Sequence, residues 1–164
     1  MSSVVIQPLG EQYRMWARAV LEEHWGSVRI VTRGRVYAAD ELPGFVALRD
    51  EEPVGLLTYR IEGRECEVIS LNSLSEGHGV GTALLEAALR AAREAGCARL
   101  WLITTNDNLP ALRFYQRRGM HIRAVYPDAV AESRRLKPEI PETGVGGIPI
   151  RDEIELEMVI SREG

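Results

Sequence analysis

Gly77, Gly79 and Gly81, in the stretch LNSLSEGHGVGTALL, are the residues whose types and spacing most directly imply chemistry. Glycine lets a backbone come close to a ligand and adopt dihedrals that a Cβ resists. The three stand between an apolar run and an amphipathic one. The amides of Gly77, His78, Gly79, Val80, Gly81 and Thr82 therefore fall at a helix start, where N–H groups have no intrahelical carbonyl to bond. The helix dipole adds roughly half a positive charge there, which makes the turn an anion cradle suited to phosphate. Spacing alone leaves the ligand open. No Gly-Lys-Ser/Thr follows, so the Walker pattern is excluded. No carboxylate ends a second strand about 20 residues on, where a dinucleotide ribose needs one. The His78 side chain, within the turn, is expected to face solvent and to take no part in catalysis.

The elements that position this turn follow from periodicity. Val80, Leu84, Ala87, Ala88, Ala91 and Ala95 form one stripe of a helix, Glu86, Arg90, Arg93 and Glu94 the other, and Gly96 stops it. Residues 67 to 74 before it and the nearly continuous apolar run ARLWLITT, 98 to 105, after it read as strands. Strand, turn, helix and strand make a βαβ crossover, so the two strands should run parallel. Upstream lie a strand over 3 to 9, a helix from Glu11 to Trp25, a hairpin-like VRIVTRGRVYA, and three short strands of an antiparallel meander, FVALR, VGLLTYR and RECEVISLNSL. Downstream, Asn108 and Pro110 start a short helix that Gly119 ends, and MHIRAVY returns as a strand. Asp128 caps a helix through AVAESRRLK. RDEIELEMVI turns Ile154, Leu156, Met158 and Ile160 inward and closes the sheet as a half-exposed strand.

With 164 residues, 45% of them hydrophobic, the chain suits one domain with a proper core. A net charge of −4 argues against nucleic acid as the main partner. No run is long and apolar enough to span a bilayer and no signal segment is evident, so a soluble cytoplasmic protein without membrane association is expected. Cys66 and Cys97 read as reduced core residues, and no metal site is expected. Of 20 basic residues only Lys137 is a lysine, a bias that points to a GC-rich bacterial genome or a thermophile.

The segment ISLNSLSEGHGVGTALL followed by NDNLPALRFYQRRGM resembles the GNAT superfamily of N-acetyltransferases. The first matches the family's acetyl-CoA turn, Gln or Arg, two residues, Gly, any, Gly or Ala. The second matches Asn, two residues, Ala, two residues, Phe-Tyr, three residues, Gly-Phe. Residues 68 to 120 carry both in the right order and separation, with Glu76 where Gln or Arg is usual and Met120 for Phe. The resemblance implies an α/β (α+β) fold, one GNAT-like domain over 1–164 with its acetyl-CoA-binding core at about 67–126. Its sheet would be mixed and mostly antiparallel, with a central parallel pair around the βαβ unit and helices on both faces.

The resemblance also implies roles. The Leu71 backbone would hold the pantetheine arm, residues Gly77 to Thr82 the pyrophosphate, and Asn108 either the pantetheine or only the second helix. Tyr115 would protonate the departing sulfur; a phenol with pKa near 10 is matched to a thiol near 8.5. Glu65 and Glu67, assigned the same strand parity as Leu71, are base candidates, with Glu67 preferred and a water chain as the other route. Arg113, Arg117 and Arg118 would meet the 3′-phosphate or form a solvated face. Trp25, Tyr37, Tyr59, Asn72, Tyr126, Arg134 and Arg135 come from segments that border the acceptor. The expected activity is acetyl transfer from acetyl-CoA to a primary amine of a small molecule or peptide, by a monomer or homodimer. The rival reading is a CoA-binding sensor without turnover, since Glu76 sets a carboxylate near the expected pyrophosphate.

Overall fold

The computed structural model describes residues 3–75 and 77–160. Thirteen regular elements lie among them: β1 (Val4–Pro8), α1 (Arg14–Trp25), β2 (Arg29–Thr32), β3 (Arg35–Ala38), β4 (Gly44–Arg49), β5 (Glu52–Glu62), β6 (Glu65–Ser73), α2 (Val80–Glu94), β7 (Arg99–Thr105), α3 (Leu109–Arg117), β8 (His121–Tyr126), α4 (Ala129–Leu136) and β9 (Glu153–Val159). Seven strands form one sheet in the order β1-β4-β5-β6-β7-β9-β8, and β2-β3 form a separate hairpin. The expected parallel pair is β6 and β7; every other pairing is antiparallel. Among the described residues no helix is long and apolar enough to cross a membrane.

Helices cover both faces, each through its apolar stripe. On one face α2 buries Val80, Leu84, Leu85, Ala88 and Ala92 against Ala47, Leu57, Val68 and Leu100. Fully burying one such aliphatic side chain is worth about 1.5–3 kcal/mol, so α2 is held mainly by packing. The stripe differs from the sequence expectation: Leu85 and Ala92 are buried, Ala87 and Ala91 are only half-buried, and Ala95 is exposed as the C-terminal cap. On the other face α1 buries Ala17, Val20 and Leu21 against Val46, Leu48, Leu56 and Ile69. A 3-10 turn, Glu11–Tyr13, precedes α1, and Gly26 ends it at φ 81°.

Gly55 lies where β5 passes under α2. A Cβ there would sit 2.5 Å from Val80 Cγ1 and 2.9 Å from Leu84 Cδ1. We predict that Gly55→Val lowers stability by about 3 kcal/mol, the upper range for overpacking, and the melting temperature by roughly 6–12 °C. Thermal melts followed by circular dichroism check this. An unchanged midpoint would mean that α2 is not pressed onto β5.

β6 carries the irregularity that matters for function. Thr58 pairs with Ser70 and Tyr59 with Val68, so Ile69 is an extra residue in the ladder. A bulge flips the side-chain alternation and bends the strand. Cys66, Val68 and Leu71 accordingly pack on the α2 face, whereas Ile69 packs on the α1 face. The expected shared parity of Glu67 and Leu71 is therefore corrected: the bulge puts them on opposite faces. The β6-β7 ladder ends at Val68 and Leu102, at the bulge, although β6 continues to Ser73 and β7 to Thr105.

Two other expectations change. β9 does not close the sheet; it lies between β7 and β8, with Glu153 and Glu155 buried, and β8 is the edge. Asp128 does not cap α4 through its side chain. It stands at φ 58°, and its own N–H donates to Asp152 Oδ1 at 2.8 Å.

Candidate active site

Where β6 and β7 part, a cavity of about 300 Å³ opens, lined by Ser70, Leu71 and Asn72 from β6, Ile103 and Thr104 from β7, Asn108 just before α3 and Tyr115 within it. The turn before α2 flanks the end of β6. Gly77 and Gly79 have φ of 78° and 70°, and a Cβ on either would meet nothing within 4 Å. Their left-handed conformation favours glycine. Both residues and His78 are exposed, with His78 Nδ1 and Ser75 Oγ 3.1 Å apart. Ala83 closes the first intrahelical bond, to the Gly79 carbonyl at 2.9 Å. The amides of Val80, Gly81 and Thr82 are thus those of the first turn, with no helical carbonyl behind them. Glu76 lies outside the described residues.

Gly81 has a different reason from its neighbours. Its ideal Cβ would lie 3.0 Å from Phe114 Cζ, so this glycine lets α3 approach the first turn of α2. Arg118 fixes the same junction: Nε donates to Thr82 Oγ1 at 2.7 Å, Nη1 donates to the Phe114 carbonyl, and the guanidinium covers the Phe114 ring at 3.8 Å. Beside it an open groove of about 550 Å³ is lined by Arg113, Arg117 and Arg118 with Leu109, Pro110 and Phe114. Three arginines and a helix N-terminus give this end of the molecule a positive field suited to phosphates.

Asn108 caps α3, its Oδ1 accepting from the Ala111 N–H at 3.3 Å, and it also lines the cavity. Tyr115 has no hydrogen-bond partner for its hydroxyl among the described residues. Burial pushes this phenol well above its ordinary value of 10. Held protonated by burial, the phenol is suited to donating a hydrogen bond.

Glu67, only 2% exposed, sits on the opposite side of the splay. Thr32 Oγ1 donates to Oε2 at 2.8 Å, and Arg60 Nη1 reaches Oε1 at 3.5 Å. Burial raises this carboxyl above its ordinary value, while Thr32 and Arg60 pull it part of the way back. A second cavity, of about 120 Å³, is lined by Glu67, Thr32, Ile103, Thr104, Asn108 and Glu153 among others, and shares Trp25, Val68 and Asn108 with the first. Glu65 is exposed and paired with Arg99 at 3.1 Å, away from both cavities.

The residues expected around the acceptor divide. Trp25 donates through Nε1 to Asn72 Oδ1 at 3.0 Å, and both line the first cavity. Tyr37 lies under Arg35 and Arg60 in the hairpin, and Tyr126 bonds Glu155 beneath Arg33. Tyr59 stacks on Phe45 in the α2-side core. Arg134 holds the carbonyls of Ile140, Pro141 and Ile150, and Arg135 pairs with Glu132 on the surface. Thr32, Arg60, Ser70 and Glu153 are site neighbours that the sequence reading missed. Lys137 is another: it donates to the carbonyls of Trp25 at 2.6 Å and Arg29 at 2.7 Å, joining the end of α1 to β2. A charged residue repeated at odd positions of β9 was the one available signal for Glu153.

Among protein families, the acetyltransferase (GNAT) family model matches residues 9–120. The chain belongs to that family. Among the relatives of this GNAT acetyltransferase, the uncharacterized protein YdhI of Bacillus subtilis (strain 168) is 45% identical over 158 residues, covering 96% of this chain and 99% of that protein. Solved structures share the fold. An IAA acetyltransferase from Bacillus cereus ATCC 14579 matches with TM-score 0.70 and 21% identity over 96% of this chain and 100% of that one. A GNAT family acetyltransferase from Elizabethkingia anophelis, solved with acetyl-CoA bound, matches with TM-score 0.67 and 16% identity over 96% of this chain and 99% of that one.

Proposed function

We propose that this protein transfers an acetyl group from acetyl-CoA directly to a primary amine within a ternary complex. The observation that carries the reading is the splay of β6 from β7, which ends in Tyr115 on one side and leads to Glu67 on the other. The residues present suit the co-substrate. Gly77 and Gly79 leave open space above the turn, the first-turn amides Val80 to Thr82 and the Arg113, Arg117 and Arg118 groove suit its phosphates, and the splayed β6 backbone at Leu71 suits its pantetheine arm.

Bound acetyl-CoA supplies a thioester, whose carbonyl carbon bonds to the amine nitrogen as its bond to sulfur breaks. Glu67 receives the proton that the nitrogen sheds, a task that a carboxyl raised by burial performs better than an exposed one. The Tyr115 hydroxyl donates a hydrogen bond to the sulfur, stabilising the charge that develops there. The proton held at Glu67 then returns through solvent to the thiolate, so the products are an amide and a free thiol. Asn108, its carbonyl oxygen engaged in the cap, keeps its amide N–H groups for the pantetheine.

Calorimetric titration tests the reading. We expect micromolar binding of acetyl-CoA, weakened at least about ten-fold by Gly79→Val, which adds both strain and bulk to an anion site. Preference for ATP or NAD over CoA, or no binding at all, overturns it. Tight CoA binding with no transfer to any amine would leave a sensor instead.

A further inference from the structure

Resting on the transferase reading, a question of substrate class is open to the structure. A third hollow, of about 330 Å³, adjoins the Glu67 cavity and, at His24 and Trp25, the cavity between β6 and β7. It shares Trp25, Ile30, Val31 and Thr105 with the Glu67 cavity. Its remaining walls include Ile140, Pro141 and Ile150 from the segment after α4. The three hollows thus adjoin one another around Trp25, which lines all of them.

The walls discriminate. The outer hollow is apolar on most sides: Lys137 is spent on the Trp25 and Arg29 carbonyls and the Thr105 hydroxyl on Asp107, which leaves His24 and Glu139 as its other polar side chains. The central cavity is narrow, with room for about four water-sized groups. Two carboxylates border it, Glu67 at 2% and Glu153 at 3% exposure. Each already has an arginine, Arg60 at 3.5 Å and Arg33 at 3.1 Å, and Glu153 also accepts from Ser133 at 3.1 Å. The centre therefore carries no surplus negative charge to hold a polycation. A substrate carboxylate arriving there would be desolvated with no unpaired cation to receive it, since Arg60 and Arg33 are already taken. One amine nitrogen can be placed at Glu67, and the body behind it must be apolar and slender enough to fit the narrow cavity.

We propose that the acceptor is a primary amine on a slender apolar body, an alkyl or arylalkyl amine without a carboxylate, which enters between the end of α1, the β2-β3 hairpin and the Ile140–Ile150 segment and presents its nitrogen at Glu67. The two substrates then approach Glu67 through different hollows, acetyl-CoA from the α2 and α3 side. Lys137, by tying the Trp25 and Arg29 carbonyls together, positions the walls that the amine passes.

The test is a comparison of phenethylamine and n-butylamine with spermidine and leucine, followed by release of free thiol from acetyl-CoA. Phenethylamine should exceed spermidine and leucine in kcat/KM by at least about ten-fold, the scale at which apolar pockets discriminate. Val31→Asp should raise the KM for phenethylamine about ten-fold or more, by burying an unpaired charge in the wall, while acetyl-CoA affinity stays within about two-fold. Equal or better use of spermidine or leucine, or an unchanged KM in the variant, overturns the assignment and leaves the transferase standing. Binding of phenethylamine by the protein alone, read from tryptophan fluorescence and lost in Val31→Asp, tests the outer hollow without acetyl-CoA. No quenching there overturns it, whereas failure to bind acetyl-CoA strikes the transferase reading.

Discussion

Replacing Glu67 by glutamine should lower kcat/KM for acetyl transfer about 10²–10³-fold at neutral pH, with acetyl-CoA binding unchanged. Glutamine keeps the volume and still accepts from Thr32, but it takes no proton. The same substitution should leave the protein no less stable, and the two readouts should diverge with pH. Burial raises the folded-state pKa of Glu67 above the ordinary 4.5. A group shifted in this direction contributes stability that is fully present below the unfolded pKa and is lost as pH rises through the folded one. Above that point the wild-type protein holds a desolvated charge that the variant lacks, so the variant gains relative stability as pH rises. Activity moves the other way, since only the ionised carboxylate accepts a proton: the wild-type kcat/KM should climb through the raised pKa, and the variant should lose that limb. Melting temperatures and pH–rate profiles of both proteins measure this. A pH profile that Glu67→Gln leaves unaltered would assign the proton transfer to a water chain.

Tyr115→Phe carries the second large effect. We expect kcat to fall about 10²-fold, the usual consequence of deleting one donor aimed at developing charge, with acetyl-CoA dissociation within about two-fold of wild type. The hydroxyl bonds nothing among the described residues, so its removal leaves no protein group unsatisfied. The ring, edge-on to Phe114 at 5.2 Å, keeps its packing, and the melting temperature should hold. Steady-state kinetics with a calorimetric Kd separate the outcomes. A kcat within a few-fold of wild type would reduce Tyr115 to a wall of the cavity. Because burial holds the phenol protonated, no alkaline limb near its ordinary value of 10 should appear in the wild-type profile.

Both predictions turn on residues whose surroundings were only partly legible. The glycine turn, the parallel crossover and the cap at Asn108 were readable because each depends on neighbours in sequence: φ above zero, 3.6-residue periodicity, and an Asx side chain three residues before the amide it binds. Gly81 shows the limit of that reading. Its motif position placed it in the cradle, yet Phe114, 33 residues later in number, explains it equally well.

By itself, then, the sequence determined the local elements and the motif order of a GNAT acetyltransferase, since these follow from periodicity, capping and short-range spacing. Only the tertiary structure decided which side chains share a face. One extra residue at Ile69 reverses the parity of β6, separating Glu67 from Leu71 and parting β6 from β7. β9, expected at the edge, is inserted beside β7 and brings Glu153 into the Glu67 cavity. The hairpin brings Thr32 to Glu67 across 35 residues, and Lys137 ties α1 to β2 across more than a hundred. Strand register, strand order and long-range contact are settled by packing of the whole chain, and no local pattern encodes them.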